Sequence, residues 1–526
     1  MRISRGIPSP VGVLAALAVT LSLGTAAVQA ETLVVDTNFQ LKTADPARQF
    51  EPTANLFMHA IYQNLVTFEG GDLTKVVPSI AGLPEISEDS KTFTFTLNPD
   101  AKFADGTPVT VDDVVFSLQR VANVKGTPSF LMAGVSVAAG EAEGTVVLTT
   151  EESDPGLPYK LTNPALAILN ADLLMENGGS ASETASTEDT ADAFLATTSA
   201  GSGPYVLDKY DMASEIVLKR NEAYWGEAPD FDTIVIRNVD TSAQQMNISR
   251  GASQIALDVP PDMVSSLGDS VNIEQTAGAD VGFLFTNSNP EISEITANPD
   301  FKEAVRYAID YDGILNLVGA GAQRPGSVVP SMFAGALPAS EGPQQDIEKA
   351  KEALARSGIE NPVVELGYAS DLTKNGVSFG DIAAKLQQDL LAVGIETELK
   401  PEPISAVLDT YRAGTLQMSI QWWGPDFPDP SNYLLFNPGA LVGLRAGWAE
   451  GSAPEVMAAA DAAAAAIDPD ERAPLYETWQ KAMNTYGPFI GLFQPAVTVA
   501  TSKTIEPLPY NPMWSVDLGA AELAAE

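Results

Sequence analysis

An alternation of glycine-terminated helices and short strands in the third quarter of the chain constrains the fold most. Residues 346–357 have the spacing of a helix that ends at Gly358, and an apolar strand follows over 363–368. The same order of helix, glycine and strand recurs over 381–399, with Gly394 as the glycine. Glycine adopts the left-handed conformation that commonly ends a helix, and a helical crossover joins parallel strands. The pattern therefore predicts an α/β domain with a largely parallel sheet.

The N-terminus has the composition of a secretory signal. Arg2 and Arg5 precede an apolar run over 11–23, and small residues stand at the positions read by a signal peptidase, over 28–30. These features predict cleavage before Glu31. Because a lipid-anchored exported protein begins with cysteine, we expect a soluble, unanchored protein in a periplasm.

Charge and residue usage argue against several classes of function. The net charge is −40, whereas nucleic acids and anionic membranes are bound by Lys and Arg clusters. The sequence has no cysteine and a single histidine, His59, so zinc and transition-metal sites are not expected. It has no nucleophile elbow, phosphate-binding loop or calcium-loop spacing. With 69 acidic residues, a carboxylate pair for glycoside hydrolysis is always available and is not informative.

The first half of the chain contains several local signals. Residues 53–66 have helical spacing, and 91–97 alternate apolar and polar side chains as a half-buried strand does. Thr110 followed by Asp113 is a capping-box variant that begins a helix. Residues 177–202 are rich in small and acidic residues, which predicts a surface loop or flexible insertion.

The segment QWWGPDFPDPSNYL, residues 421–434, is the candidate binding site. It places four aromatic side chains around the carboxylates of Asp426 and Asp429. One glycine and three prolines interrupt it, which argues against a long helix or a central strand. Rigid aromatic surfaces with an acid among them suit a small ligand that carries a positive charge. The alternative is a buried proline-rich loop whose acids cap turns, because aromatic clusters are frequently core.

Five segments along nearly the whole chain carry recognisable motifs. They are 44–68 (ADPARQFEPTANLFMHAIYQNLVTF), 93–120 (FTFTLNPDAKFADGTPVTVDDVVFSLQR), 201–207 with 221–226 (GSGPYVL and NEAYWG), 298–315 (NPDFKEAVRYAIDYDGIL) and 421–439 (QWWGPDFPDPSNYLLFNPG). In this order they resemble the periplasmic solute-binding proteins of the peptide/nickel type, family 5, which serve ABC importers. The second segment is the most specific of the five.

The resemblance implies a two-lobed α/β fold of the type II, Venus-flytrap kind, with an extra subdomain inserted in the first lobe. After a signal peptide over 1–30, the implied lobe I comprises 31–47, 195–280 and 490–526, the inserted subdomain 48–194, and lobe II 281–489. Hinge strands are expected near 282–286 and 489–494.

The resemblance also implies a binding site. Asp426 matches the aspartate that pairs with the ligand α-amino group in the family's W-x-x-D-x-x-[DE]-P box, and Asp429 would form the structural turn after it. The aromatic residues of the pocket would be Trp422, Trp423, Phe427 and Tyr433. The contacts from lobe I would be Gln49, Phe50 and Glu51. Candidates for a ligand carboxylate are Arg412 and Arg445.

We therefore expect a monomeric, non-enzymatic binding protein that captures a peptide or peptide-like amine and delivers it to the permease in the inner membrane. It would need no cofactor and no bound metal, and would neither bind nucleic acid nor insert into the membrane. The alternatives are the same fold with an oligosaccharide, opine or metal complex as ligand, and an exported carboxylate-dependent hydrolase.

Overall fold

The computed structural model describes residues 31–374 and 376–525, so the predicted signal peptide lies outside the described residues. Its strands are β1 (Thr32–Thr37), β2 (Val66–Glu69), β3 (Asp72–Pro78), β4 (Glu85–Ile86), β5 (Thr92–Thr96), β6 (Val135–Ala139), β7 (Thr145–Thr150), β8 (Tyr205–Asp211), β9 (Glu215–Arg220), β10 (Thr233–Asn238), β11 (Ile255–Ala256), β12 (Val271–Ala277), β13 (Val281–Thr286), β14 (Val363–Ala369), β15 (Thr373–Lys374), β16 (Val377–Ser378), β17 (Glu396–Glu402), β18 (Met418–Trp423), β19 (Phe489–Phe493) and β20 (Ala496–Ser502).

The helices are α1 (Pro52–Ile61), α2 (Val111–Val124), α3 (Leu157–Lys160), α4 (Ala171–Glu176), α5 (Ala185–Glu188), α6 (Asp192–Leu195), α7 (Thr241–Ser249), α8 (Glu294–Ala297), α9 (Pro299–Ala308), α10 (Tyr311–Val318), α11 (Ile347–Ser357), α12 (Phe379–Ala392), α13 (Ile404–Arg412), α14 (Leu441–Arg445), α15 (Pro454–Ala465) and α16 (Pro469–Tyr486). None of the helices in the described residues is long and apolar enough to cross a membrane.

A seven-stranded sheet contains the first strand of the described chain and also the last one, β20. Its strand order is β12-β20-β11-β1-β10-β9-β8. Strand β1 is parallel to both of its neighbours, β10 and β11, while the other pairs are antiparallel. Leu33 and Val35 of β1 are fully buried in the core of this sheet. The carboxyl ends of three parallel strands therefore meet at one edge of the sheet.

A four-stranded antiparallel sheet, β4-β5-β7-β6, forms a second body against α2. The predicted strand over 91–97 is confirmed as β5, and the capping box is confirmed because Thr110 and Asp113 bond reciprocally at the start of α2. The helix predicted over 53–66 is too long, since α1 ends at Ile61. Tyr62 is extended and Val66 pairs with β3, so strand pairing takes the last residues of that range.

The predicted surface loop over 177–202 is wrong where it contains Asp189. This carboxylate is fully buried and accepts hydrogen bonds from Arg120 at 2.7 and 2.9 Å and from Arg48 at 2.8 Å. Arg120 also donates to Asp45 at 2.6 and 2.7 Å. Composition indicated a solvated segment, but one buried ion-pair network fixes it to α2.

A five-stranded sheet, in the order β17-β14-β18-β13-β19, forms the third body. Strands β17, β14 and β18 are mutually parallel, whereas β13 is antiparallel to both of its neighbours. As predicted, helix α11 is followed by strand β14 and helix α12 by strand β17. Gly358 ends α11 in the left-handed region. The prediction of a largely parallel sheet holds for one half only. The chain enters this sheet at β13 and leaves it at β19, and these two strands are not part of the βα repeat.

The chain passes between the seven- and five-stranded sheets at two adjacent points, residues 278–280 and 494–495. The Gly278 amide donates to the Pro495 carbonyl at 2.8 Å, and Gln494 Nε2 donates to the Gly278 carbonyl at 2.8 Å. Both predicted hinge strands lie inside the five-stranded sheet, so the crossings lie just outside them. The division into lobes remains a prediction.

Candidate functional site

The candidate segment begins as the end of a central strand, which the sequence argument excluded. Strand β18 extends to Trp423, and Trp423 pairs with Val281 of β13. The interruption starts only at Gly424, where a Cβ atom would collide with the Asp280 carboxylate. A 3-10 helix over Pro430–Phe436 closes the segment. The loop that holds both acids is thus anchored at one end to the strand beside the first crossing between the sheets.

Asp426 is a half-buried carboxylate held by amides. Its backbone N–H donates to Asn432 Oδ1 at 3.0 Å, and Asn432 Nδ2 donates to Asp426 Oδ2 at 3.1 Å. Asn163 Nδ2, from the body with the four-stranded sheet, donates to the Asp426 carbonyl at 2.9 Å. Burial raises the pKa of Asp426, and the Asn432 hydrogen bond opposes that rise only in part. No salt bridge to this carboxylate occurs within residues 31–374 and 376–525.

Asp429 is a fully paired structural acid. It accepts two hydrogen bonds from the Arg472 guanidinium, at 2.5 and 2.6 Å, and both residues are buried. It also accepts from the Ser431 amide at 2.8 Å and thereby caps the 3-10 helix. The two acids of the segment therefore differ: Asp429 is satisfied within the protein, whereas the partners of Asp426 among the described residues are amides only.

The two tryptophans of the segment face opposite sides of the five-stranded sheet, because consecutive strand residues alternate in direction. Trp422 packs against Phe379, with ring centroids 6.5 Å apart. Trp423 meets Phe436 edge to face at 5.6 Å. The Nε1 of Trp423 is buried and has no hydrogen-bond partner among the described residues.

The other two aromatic side chains are buried in different cores. Tyr433 is completely buried and stacks on Phe436 at 5.8 Å, and its hydroxyl is unpaired among the described residues. Phe427 belongs to the core of the body with the four-stranded sheet, where the Lys160 ammonium lies 5.3 Å from its ring. The four aromatic residues therefore do not form one continuous wall. Their contact with a ligand remains a prediction.

The three residues predicted to contribute from lobe I lie immediately before α1. Gln49 is buried and donates to Asn55 at 3.0 Å, and its Oε1 has no partner among the described residues. Phe50 meets Phe130 edge to face at 5.3 Å. Glu51 pairs with Lys42 at 2.7 Å. In the described part of the chain, none of the three forms a hydrogen bond or ion pair with Asp426.

The two arginines predicted for a ligand carboxylate lie on helices α13 and α14. Arg412 is exposed at the end of α13. Arg445 ends α14 and lies over the Tyr411 ring, 5.3 Å from its centroid. Neither forms an ion pair in the described part of the chain, so the structure does not distinguish between them.

A cavity of about 650 Å³ opens between the seven-stranded sheet and the β15–β16 hairpin, and sequence reasoning did not find it. Its lining is Thr37, Asn38, Gln40, Thr53, Leu56, Thr241, Leu257, Asp258, Val259, Pro260, Pro261, Thr373, Gly376, Ala496, Val497, Thr498, Val499, Tyr510 and Ser515. Its volume lies within the usual range for small-molecule sites. These residues come from eight separate stretches of chain, so no local motif could have indicated them. Within the described residues, no group of three or more acids or histidines could hold a metal ion.

Asp280 connects this cavity with the Asp426 loop. Burial raises the pKa of Tyr510, which lines the cavity, and the nearby Asp280 carboxylate raises it further. Burial also raises the pKa of Tyr433, and the charges of Asp280 and Asp426 add to that rise. Asp280 also occupies the space beside Gly424, two residues before Asp426. Ala277 pairs with Ala496, which lines the cavity, and a Cβ atom on Gly278 would lie 3.1 Å from the lining residue Val497. The cavity and the loop therefore both lie beside the first crossing between the sheets.

Comparison with known proteins gives consistent results. The family model for bacterial extracellular solute-binding proteins, family 5 Middle, matches residues 75–439. The chain is 28% identical over 510 residues to the probable D,D-dipeptide-binding periplasmic protein DdpA of Escherichia coli (strain K12), covering 94% of this chain and 95% of that protein. It is 28% identical over 402 residues to the dipeptide-binding protein of the same organism, covering 71% and 72%. The structure of HbpA2 from Haemophilus parasuis aligns with a TM-score of 0.81 and 20% identity, covering 94% of this chain and 100% of that one.

Proposed function

The chain belongs to the bacterial extracellular solute-binding proteins of family 5, and on this premise we propose that it captures a peptide or peptide-like amine for an ABC importer. Two relatives named as dipeptide-binding proteins, one of them only probable, support this ligand class. In the proposal, the protein binds its ligand between two lobes and carries it to the permease in the inner membrane.

The observation that carries the ligand class is the state of Asp426. Its carboxylate is half-buried, its pKa is raised by burial, and its described side-chain partner is a neutral amide. Removing a carboxylate from water is costly unless a cation or several hydrogen-bond donors replace the water. A ligand α-ammonium at Asp426 Oδ1 would supply the missing charge. An uncharged sugar would not.

The same geometry supports closure of the lobes. The chain crosses between the two large sheets at 278–280 and 494–495, and Asn163 Nδ2, from the body with the four-stranded sheet, donates to the Asp426 carbonyl at 2.9 Å. A ligand that touches both sides binds the closed form more tightly than the open form, and so shifts the population toward it. Small-angle scattering should then give a smaller radius of gyration at ligand saturation, and an unchanged profile would argue against this step.

The proposal includes the location and the mode of action. We propose export with cleavage before Glu31 and release into the periplasm as an unanchored monomer. We also propose binding without turnover, so that a ligand recovered after incubation is chemically unchanged. N-terminal sequencing and mass spectrometry of the exported protein test the first point, and mass spectrometry of the recovered ligand tests the second. Conversion of the ligand would favour the hydrolase.

The ligand class is tested by two dipeptides that differ only at the amino end. Calorimetric titration with Ala-Ala should give saturable binding, whereas N-acetyl-Ala-Ala, which has no ammonium, should bind at least about a hundredfold more weakly. The acetylated dipeptide keeps the peptide bond and the carboxylate, so it isolates the charge. Equal affinities would refute recognition of the amine. They would favour an oligosaccharide, opine or metal complex as ligand.

A further inference from the structure

The cavity between the seven-stranded sheet and the β15–β16 hairpin contains one charged side chain among its described lining residues, that of Asp258. Asp258 follows β11, and its neighbour in the sheet, β1, ends at Thr37. Because β1 and β11 are parallel, their carboxyl ends meet at the same edge. Ligands of open α/β sheets bind outside this edge.

The protein fixes the orientation of the Asp258 carboxylate. Three donors converge on its Oδ2: the Thr37 hydroxyl at 3.0 Å, the Asn38 amide at 2.7 Å and Gln244 Nε2 at 3.0 Å. The Asp258 amide returns a hydrogen bond to Gln244 Oε1 at 3.0 Å, and Gln244 is completely buried. Oδ1 has no hydrogen-bond or ion-pair partner within the described residues. The hydrogen bonds to Oδ2 hold the loop and orient the carboxylate, and its other oxygen, Oδ1, is left for a ligand.

The rest of the described lining suits a solvated polar group. About half of the lining side chains are hydroxyls or amides, and they include those of Thr53, Thr241, Gln40 and Ser515. The cavity lies near the proposed ammonium site along the first crossing between the sheets. A Cβ atom on Gly278 would lie 3.1 Å from Val497, which lines the cavity, and Asp280, two residues further on, occupies the space beside Gly424. A ligand held at Asp426 by its amino end would have to extend along this crossing to reach Asp258.

We propose that Asp258 is a specificity-determining residue that selects ligands with a second positive charge, on a basic side chain. This inference rests on the proposed function, since it assumes that Asp426 holds the ligand amino end. The Oδ1 atom accepts a hydrogen bond from the side-chain ammonium or guanidinium. An acidic side chain in the same place would meet a carboxylate and would be disfavoured by like-charge repulsion.

The wild-type protein tests the inference with four dipeptides: Ala-Ala, Ala-Lys, Ala-norleucine and Ala-Glu. Norleucine has the aliphatic chain of lysine without the ammonium, so this pair isolates the charge. Because Asp258 is exposed, Ala-Lys should bind roughly two- to fivefold more tightly than Ala-norleucine, as expected for an exposed ion pair. Ala-Glu should be the weakest. Calorimetric titration at low and at moderate salt measures these ratios, and salt should reduce the preference.

Asp258→Asn tests the residue itself. It should abolish the preference for Ala-Lys over Ala-norleucine and leave the affinity for Ala-Ala within about twofold. Asp262→Asn is the matched control, because Asp262 is an exposed acid on the same segment and is not part of the described lining. It makes the same change in net charge and should keep the preference. The melting temperature of each variant shows that loss of preference does not reflect loss of fold.

The outcomes separate this inference from the proposed function. If Ala-Ala binds and the wild-type protein does not distinguish lysine from norleucine, the inference is refuted and the proposed function stands. The same conclusion follows if Asp258→Asn retains the preference, or if Asp262→Asn loses it equally. If none of the four dipeptides binds, both the proposed function and the inference fail.

Discussion

Separate replacement of Asp426 and Asp429 by asparagine should have opposite consequences, although the two acids are only three residues apart. Asp429→Asn removes the charge that faces Arg472, and both side chains are buried with N–O distances of 2.5 and 2.6 Å. Removing one partner of such a pair leaves a buried cation, which costs about 3–5 kcal/mol. Asparagine can still accept the hydrogen bond from the Ser431 amide, so the cap of the 3-10 helix adds little to this loss.

Asp426→Asn should leave the free energy of unfolding within about 1 kcal/mol of the wild-type value, because asparagine keeps an acceptor for Asn432 and has no charge to desolvate. Its effect falls on binding. If the ligand ammonium is buried against Asp426, the loss of the charge should lower the affinity for Ala-Ala by roughly two to four decades.

Urea denaturation followed by tryptophan fluorescence gives the stabilities, and calorimetric titration with Ala-Ala gives the affinities. Each variant is the control for the other, since both change one Asp to Asn in the same loop. An Asp426→Asn protein that binds Ala-Ala within a factor of about three of wild type would refute amine recognition by Asp426. An Asp429→Asn protein as stable as wild type would refute the energetic role of the Arg472 pair.

Three further predictions concern pH, the buried ion network and the loop. Protonation removes the charge of Asp426, and burial raises its pKa. The affinity for Ala-Ala, measured by calorimetry, should therefore fall on acidification. The fall should begin at a higher pH than it would for an ordinary aspartate, whose pKa is about 3.9. The Asp426→Asn variant should show no such fall. Asp189→Ala should lower the free energy of unfolding by about 3–5 kcal/mol in urea denaturation, because Arg120 loses a buried partner; a change below about 1 kcal/mol would contradict this role. Gly424→Ala should weaken Ala-Ala binding in calorimetry, since its Cβ collides with the Asp280 carboxylate, and unchanged affinity would contradict the close fit.

Signals that act over a few residues could be interpreted from the sequence. The reciprocal bonds of Thr110 and Asp113 and the left-handed Gly358 after α11 both occur as their motifs predict. Each involves groups at most three or four positions apart. The backbone geometry of a helix end alone decides them.

Local composition failed where a distant partner decides the environment. Asp189 lies in a segment with the composition of a solvated loop, and it is buried because Arg120 reaches it from α2. Trp423 precedes a glycine and three prolines, and it is nevertheless part of a central strand because β13 pairs with it. Phe427 is buried in another body of the protein. In each case the deciding contact is with a residue far away in the sequence.

The sequence by itself determined the family, the α/β character and the candidate loop. Five ordered motifs and periodic apolar positions can be recognised without any knowledge of tertiary contacts. Only the tertiary structure decided which acid of that loop is satisfied, since Arg472 lies 43 residues from Asp429. Only the tertiary structure revealed the cavity at Asp258, where the Thr37 hydroxyl comes from 221 residues away. Charge and hydrogen-bond satisfaction depend on which strands and helices meet, and that is a property of the packed chain.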